Sequence, residues 1–517
     1  MRWMAACAVF MVCQAAWAAD GFRFTAAYGP YGVGFKVVQQ YDTSRSYRPG
    51  VDAVTGEADR TPQGRPIETL IWYPATAPGR ALVYADYVHL GGFEDRFDLD
   101  RVEGQRIAES SMRAYLSRGY LQADIARILA EPVHATGDAA VAAGKFPLVI
   151  YAPSDSSSAY ENDSLCEYLA SHGYVVIASP SHGAHVRYMT DGHIADNVEN
   201  SRAQAADIGF LIGYAASLPQ VDLAKVAVVA YSWGGMSSTF AAANDSRIRA
   251  LVDLEGSVRY FPKVLAAAPD ITPDRIQVPL LFFADQEDPL GPGKDSRPGS
   301  FLARIHHADV TEVGMLKLTH DDFCSDSSRL PGRLGAVQAT FDERNDSYAW
   351  VARYTEQFLD DVLKGNASAK AFMSAAPEAV GVPAGTLTIR HRTSWGTSPS
   401  VASLAQALER DGFDRSIETY TAYVKQHPHF QVNEDTFGAW FSSLSDLARS
   451  KDAIGVCKLW VHVYPKSVDG WMSLAEAYEL ADQPRAAVQS FRQALKLDPH
   501  NKIIAAAMKF EATNTAH

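Results

Sequence analysis

Short apolar runs alternate with helical patterns between Phe146 and Leu363, and this alternation constrains the fold more than any other feature of the chain. The runs Phe146-Pro147-Leu148-Val149-Ile150-Tyr151, Tyr174-Val175-Val176-Ile177-Ala178 and Val226-Ala227-Val228-Val229-Ala230 are apolar at successive positions. Both faces of such strands must therefore be covered. Helical stretches separate them: Glu161 to His172, closed by Gly173, and Ser201 to Leu218. Three further strand candidates follow, at Ile248 to Asp253, Val278 to Ala284 and Val310 to Leu318, before a helix from Ser347 to Leu363. Strands and helices in this order predict an α/β fold, a mostly parallel sheet with helices on both faces and right-handed crossovers.

A chain of 517 residues exceeds one ordinary core, so more than one domain is expected. The formal charge of −13 argues against nucleic acid or an anionic membrane as the main partner. At the start, Arg2 precedes a short apolar stretch from Ala5 to Val12, and Ala16-Trp17-Ala18 supplies a small-x-small cleavage pattern. The apolar run is far shorter than the roughly 20 residues of a membrane span, so residues 1–18 read as a secretory signal peptide and the chain as exported to periplasm or medium. No other stretch is apolar enough to cross a bilayer. Past the cleavage point only Cys166, Cys324 and Cys457 remain, too few for a disulfide framework, and buried free thiols are expected.

Residues 20–395 form the expected first domain. Within it, about 82–143 reads as a helical insertion, from stretches such as Arg106-Ile107-Ala108-Glu109 and Ala123-Asp124-Ile125-Ala126-Arg127-Ile128-Leu129. It would make a lid or a pocket wall. Residues 400–517 carry no strand signal. There Trp471, Leu474, Ala475, Tyr478, Ala487, Phe491, Ala494 and Pro499 fall at the spacing of a tetratricopeptide repeat. An all-helical repeat domain is predicted, with a protein as its partner.

The chemistry concentrates where Val226–Ala230 breaks into Tyr231-Ser232-Trp233-Gly234-Gly235 and then a helix. A serine between strand and helix, flanked by small residues, matches the Gly-x-Ser-x-Gly nucleophile turn except that Ala230 replaces the first glycine. Such a serine needs a histidine to take its proton and a carboxylate to orient that histidine. His320 follows the last strand candidate, whereas His306 and His307 precede it and His182, His185 and His193 follow an earlier one. Two acids remain in play. Glu255 ends the strand after the nucleophile helix, and Asp288 follows the next strand; Asp253 lies inside its strand, where a carboxylate would be buried. Oxyanion donors are expected from the Trp233 amide and from the loop Ala152-Pro153-Ser154-Asp155, where Pro153 has no N–H and Ser154 or Asp155 must serve.

These residues together resemble the platelet-activating-factor acetylhydrolase-like branch of the α/β-hydrolases, related in outline to dienelactone hydrolases. The resemblance rests on Ile71-Trp72-Tyr73-Pro74-Ala75, Phe146-Pro147-Leu148-Val149-Ile150, Leu169-Ala170-Ser171-His172-Gly173-Tyr174-Val175-Val176, the turn at Ser232 and His320-Asp321-Asp322-Phe323. It implies an α/β-hydrolase fold and a triad acid at Glu255, where the family has aspartate. The family's His-Gly pair in the oxyanion loop is Pro153-Ser154 here, which reshapes the pocket. The expected activity is cleavage of carboxylic esters, lipid or short-acyl, with no metal or organic cofactor. A serine peptidase or amidase with the same triad, or a silent binding protein on a hydrolase scaffold, are the alternatives.

Overall fold

The computed structural model describes residues 22–47, 63–116, 122–189, 193–286, 300–329, 339–396, 398–427 and 430–514. The proposed leader, residues 1–18, and Asp288 lie outside them. The chain divides into two units, 1–396 and 397–517.

The first unit is built on one eleven-stranded mixed sheet. Its strands are β1 (Gly32–Tyr47), β2 (Gln63–Ala75), β3 (Arg80–Val83), β4 (Pro132–Gly137), β5 (Phe146–Ala152), β6 (Val175–Ala178), β7 (Val221–Tyr231), β8 (Ile248–Leu254), β9 (Leu280–Ala284), β10 (Val310–Met315) and β11 (Leu387–Arg392). Across the sheet the order is β11-β10-β9-β8-β7-β5-β6-β2-β1-β4-β3. The six strands from β6 to β10 in that order are mutually parallel, and antiparallel strands flank them on both sides.

Side chains alternate across a strand, so each central strand feeds two cores. In β7, Ala227, Val229 and Tyr231 enter one core while Val226, Val228 and Ala230 enter the other. Helices cover both faces. Three of them, α1 (Tyr84–Val88), α2 (Arg101–Leu116) and α3 (Gln122–Leu129), precede the parallel block. Helix α4 (Asp163–Ser171) and the helix Phe341–Lys364 pack on the first face through Leu165, Leu169, Val351 and Leu359. Helices α5 (Ile194–Ala215) and α6 (Trp233–Ala242) cover the second through Ile208, Leu211, Met236 and Phe240.

The segment 82–143 departs from the helical insertion expected of it. Helices α1–α3 are present, but β4 and half of β3 lie there too and extend the sheet edge. These strands are only four and six residues long, and β4 begins at a proline. Proline is tolerated as the first residue of a strand, and a strand this short leaves little period-two signal to read. Strands β1 and β11 were likewise not singled out in the sequence.

The second unit contains only helices among its described residues: Val401–Asp411, Ser416–Gln426, Glu434–Asp446, Ser450–Val463, Val468–Leu480, Pro484–Leu497 and Lys502–Asn514. Leu404, Phe437, Cys457 and Leu474 anchor one of its cores, Ala475, Ala487, Phe491 and Ala494 the next. Among the described residues no helix is long and apolar enough to cross a membrane.

Candidate active site

Ser232 sits at the break between β7 and α6 with φ 51° and ψ −117°, a conformation that L residues avoid unless their surroundings enforce it. The enforcement is visible. Its amide donates to the Leu254 carbonyl (3.2 Å), and its own carbonyl accepts from the amides of Gly235 (3.0 Å) and Ser257 (2.8 Å). Gly234 has no room for a side chain, because a Cβ there would lie 2.1 Å from the Ala152 carbonyl oxygen. Ala230 pairs with Ala152 on β5 and Asp253 on β8, and its fully buried methyl is accommodated in that position.

His320 opens a short 3-10 turn, His320–Phe323, just after β10. A capping box fixes the turn: the Thr319 amide donates to Asp322 Oδ2 (2.8 Å), and Arg344 donates to Asp322 Oδ1 (2.9 Å). The Tyr231 hydroxyl donates to the His320 carbonyl (2.9 Å), tying the turn to the residue before Ser232. As a result His320 Nε2 lies 2.9 Å from Ser232 Oγ, and Nδ1 lies 2.6 Å from Glu255 Oε2.

Glu255 also has a positive φ, 53°, and its amide donates to the Phe283 carbonyl (3.0 Å). Its second oxygen, Oε1, accepts the Tyr260 hydroxyl, with Arg259 Nη1 at 3.8 Å. Burial pushes the Glu255 carboxyl up, against the lowering effect of its His320 and Tyr260 bonds. For His320 burial acts downward, but the hydrogen bond and charge of Glu255 outweigh it and leave the imidazole pKa raised. Asp253, two residues earlier, takes another course. It is buried beneath α6, accepts from the Ser238 hydroxyl (3.1 Å), and desolvation lifts its carboxyl to about 7.

A cavity of about 430 Å³ opens over these groups, lined by Asp155, Ser232, Trp233, Glu255, Ser257, Tyr260, Phe261 and His320. Trp233 is the first residue of α6, so its amide is one of the helix's unpaired N-terminal donors. Of the two donors expected in the other loop, Ser154 has its amide committed to Glu161 Oε2 (2.9 Å), while Asp155 lines the cavity. The other histidines lie apart from this cluster. His306 stacks on Trp395, His307 bonds the Gly396 carbonyl, His185 pairs with Glu199, and His182 is buried beside Tyr47. Cys166, Cys324 and Cys457 are free and buried.

Residues 144–303 match the model of the dienelactone hydrolase family. The matched segment runs from just before β5 past β9; it contains Ser232 and Glu255 and ends before His320. Among solved structures, the chain is similar to a ferulic acid esterase from Streptomyces cinnamoneus. The TM-score is 0.50 at 18% identity, over 71% of this chain and 99% of that one. At that identity the likeness concerns the fold, a large mixed sheet of the α/β-hydrolase kind. No curated protein matches the chain.

Three residues of this site were not legible in the sequence. Tyr260 and Arg259 follow Glu255 by five and four positions, and only the left-handed turn at Glu255 brings them back to its carboxylate. Glu161 reads in the sequence as the start of a helix, yet its carboxylate reaches Ser154 in the loop after β5. No spacing rule marks any of the three.

Proposed function

We propose that this chain is an exported serine hydrolase that cleaves carboxylic esters through an acyl-enzyme. The observation that carries the reading is the continuous relay from Ser232 Oγ to His320 Nε2 and from Nδ1 to Glu255. In this reading His320 takes the Ser232 proton as Oγ attacks the ester carbonyl, and Glu255 stabilises the imidazolium. The amides of Trp233 and Asp155 receive the negative oxygen, a pair of contacts of which each is worth on the order of 10²-fold in rate. His320 then protonates the departing alcohol, and a water molecule deprotonated by His320 releases the acid.

The match to the dienelactone hydrolase family and the likeness to a ferulic acid esterase favour an ester over a peptide bond. Trp233, Tyr260 and Phe261 line the cavity and suit an apolar or aromatic group beside the scissile bond. The helices from Val401 to Asn514 are read as tetratricopeptide-like repeats: the small residues Ala475, Ala487 and Ala494 are fully buried, as the predicted spacing requires. Their proposed partner is a protein.

A fluorophosphonate probe tests the assignment. Wild type should be labelled and Ser232→Ala should not; an unlabelled wild type, or equal labelling of the variant, would sink it. Hydrolysis of 4-nitrophenyl esters alongside peptide substrates then separates esterase from peptidase.

A further inference from the structure

Glu161 is buried just before α4, and its carboxylate is filled from one side by the loop that follows β5. Oε2 accepts the Ser154 amide (2.9 Å) and the Tyr151 hydroxyl (3.1 Å). Oε1 accepts the Ser154 hydroxyl, which also meets the Ser157 hydroxyl at 2.7 Å. From its other side the residue engages the segment after His320: the Glu161 carbonyl accepts from the Asp326 amide (3.0 Å) and the Cys324 thiol (3.3 Å). Asn162 continues that seam, with Nδ2 donating to the Phe323 carbonyl (3.0 Å) and Oδ1 accepting from the Ser325 amide (3.2 Å).

A buried carboxylate is expensive unless its charge is compensated. The groups bonded to this one are neutral, an amide and hydroxyls, and burial accordingly pushes its carboxyl up. An apolar residue would fill the space at lower free-energy cost. What the carboxylate does that an apolar side chain cannot is grip Ser154 twice, once on each side of its Cα. With amide and hydroxyl both held, the Ser154 Cα and its bond to the carbonyl carbon are fixed, so only rotation about that one bond is left to set the direction of the next peptide, the one that carries the Asp155 N–H. We propose that Glu161 is a positioning residue for ester hydrolysis at Ser232: it aims the Asp155 amide at the developing oxyanion and couples that loop to the turn bearing His320. This rests on the serine-hydrolase reading above.

The variant Glu161→Gln preserves volume and one acceptor while replacing the other with a donor that faces Ser154. Because the oxyanion contact is made in the transition state, kcat for 4-nitrophenyl acetate should fall by about 10²-fold with KM little changed. The affinity of phenylboronic acid, whose adduct with a serine mimics the tetrahedral intermediate, should fall by a similar factor. Ser154→Ala, which releases only the hydroxyl grip, should lose about ten-fold. Thermal melting reports folding of each variant. If Glu161→Gln does not fold, the pair Tyr151→Phe and Ser154→Ala, which leaves the acid in place, carries the same measurement. A folded variant of either kind with wild-type kcat and boronate affinity overturns the proposal, as does a loss confined to KM. Failure of wild type to label with fluorophosphonate overturns the hydrolase reading instead, so the two failures are distinct.

Discussion

His320 is pulled in opposite directions by its surroundings, and the outcome sets a pH dependence. Burial disfavours the imidazolium, but the bond and charge of Glu255 favour it more, so the pKa lies above the ordinary 6.5. Only neutral imidazole can accept the Ser232 proton. Activity should therefore rise with pH along a limb placed above about 6.5. Glu255→Gln removes the raising partner, so the limb of the residual rate should move down, and kcat should fall by about 10⁴-fold. Tyr260→Phe acts with the opposite sign. Without the Tyr260 hydroxyl, the Glu255 charge is less shared and holds the imidazolium more strongly. Its limb should move up, with about a ten-fold loss of kcat from a less well oriented acid. Profiles of kcat/KM against pH for the three proteins check both signs; limbs that coincide would mean that Glu255 does not face His320 during turnover.

At the scale of elements, the close approach of α6 to β5 and β8 holds Ser232, the proposed nucleophile, in its strained conformation. A Cβ at Gly234 would meet the Ala152 carbonyl at 2.1 Å, and that carbonyl belongs to the strand leading into the oxyanion loop. Gly234→Ala should therefore destabilise by roughly 1–3 kcal/mol and also lower kcat, because the nucleophile and the Asp155 loop are forced apart. Denaturant melts and steady-state rates measure the two effects. The position that departs from the Gly-x-Ser-x-Gly pattern is predicted to behave differently. Ala230→Gly should lose about 1 kcal/mol of strand stability and gain no activity, since the methyl of Ala230 already fits.

Asp253 ties β8 to α6 through Ser238, and its carboxyl sits near 7 against an ordinary value of 3.8. A folded-state pKa raised in this way means that the folded protein binds the proton more tightly than the unfolded chain. Its contribution to stability is therefore lost as pH rises from about 4 to about 7, up to on the order of 4 kcal/mol. Asp253→Asn should flatten that decline, raising Tm at pH 8 far more than at pH 5.

How much of this could be read in advance depends on which interactions set each element. Among the parallel strands, β5, β6 and β9 were legible because both of their faces are buried and their residues are apolar throughout, and β7, β8 and β10 because each carries an apolar run of its own. The edge strands β3 and β11 were not, since Arg80, Arg390 and Arg392 give them the polarity of loops and the pairing of β11 with β10 and of β3 with β4 is decided by neighbours distant in sequence. Ser232 and His320 were readable from their places after β7 and β10. For the acid, the residues alone left Glu255 and Asp288 open and the resemblance pointed to Glu255; the reach of Glu255 to His320 depends on its left-handed backbone, which no residue type announces.

For the molecule as a whole, the arrangement places every group of the proposed reaction in the first unit. Ser232, His320, Glu255, Trp233, Asp155 and Glu161 all precede residue 397, and the two cores that support them, one on each face of the sheet, are complete without the second unit. The helices after Thr397 have cores of their own, built from Leu404, Phe437 and Trp460 and from Ala487 and Phe491. A protein ending at Gly396 should fold, label with fluorophosphonate, and hydrolyse a small soluble ester with kcat/KM within about three-fold of the full chain, well under the ten-fold that 1.4 kcal/mol would give. If the helical unit serves a protein partner, its removal should leave that rate intact and abolish only association with the partner. A truncated protein that melts cooperatively yet loses far more than ten-fold in kcat/KM on the small ester would show instead that the helices contribute to the site itself. Measuring melting and rate on the same preparation distinguishes that outcome from a simple loss of folding.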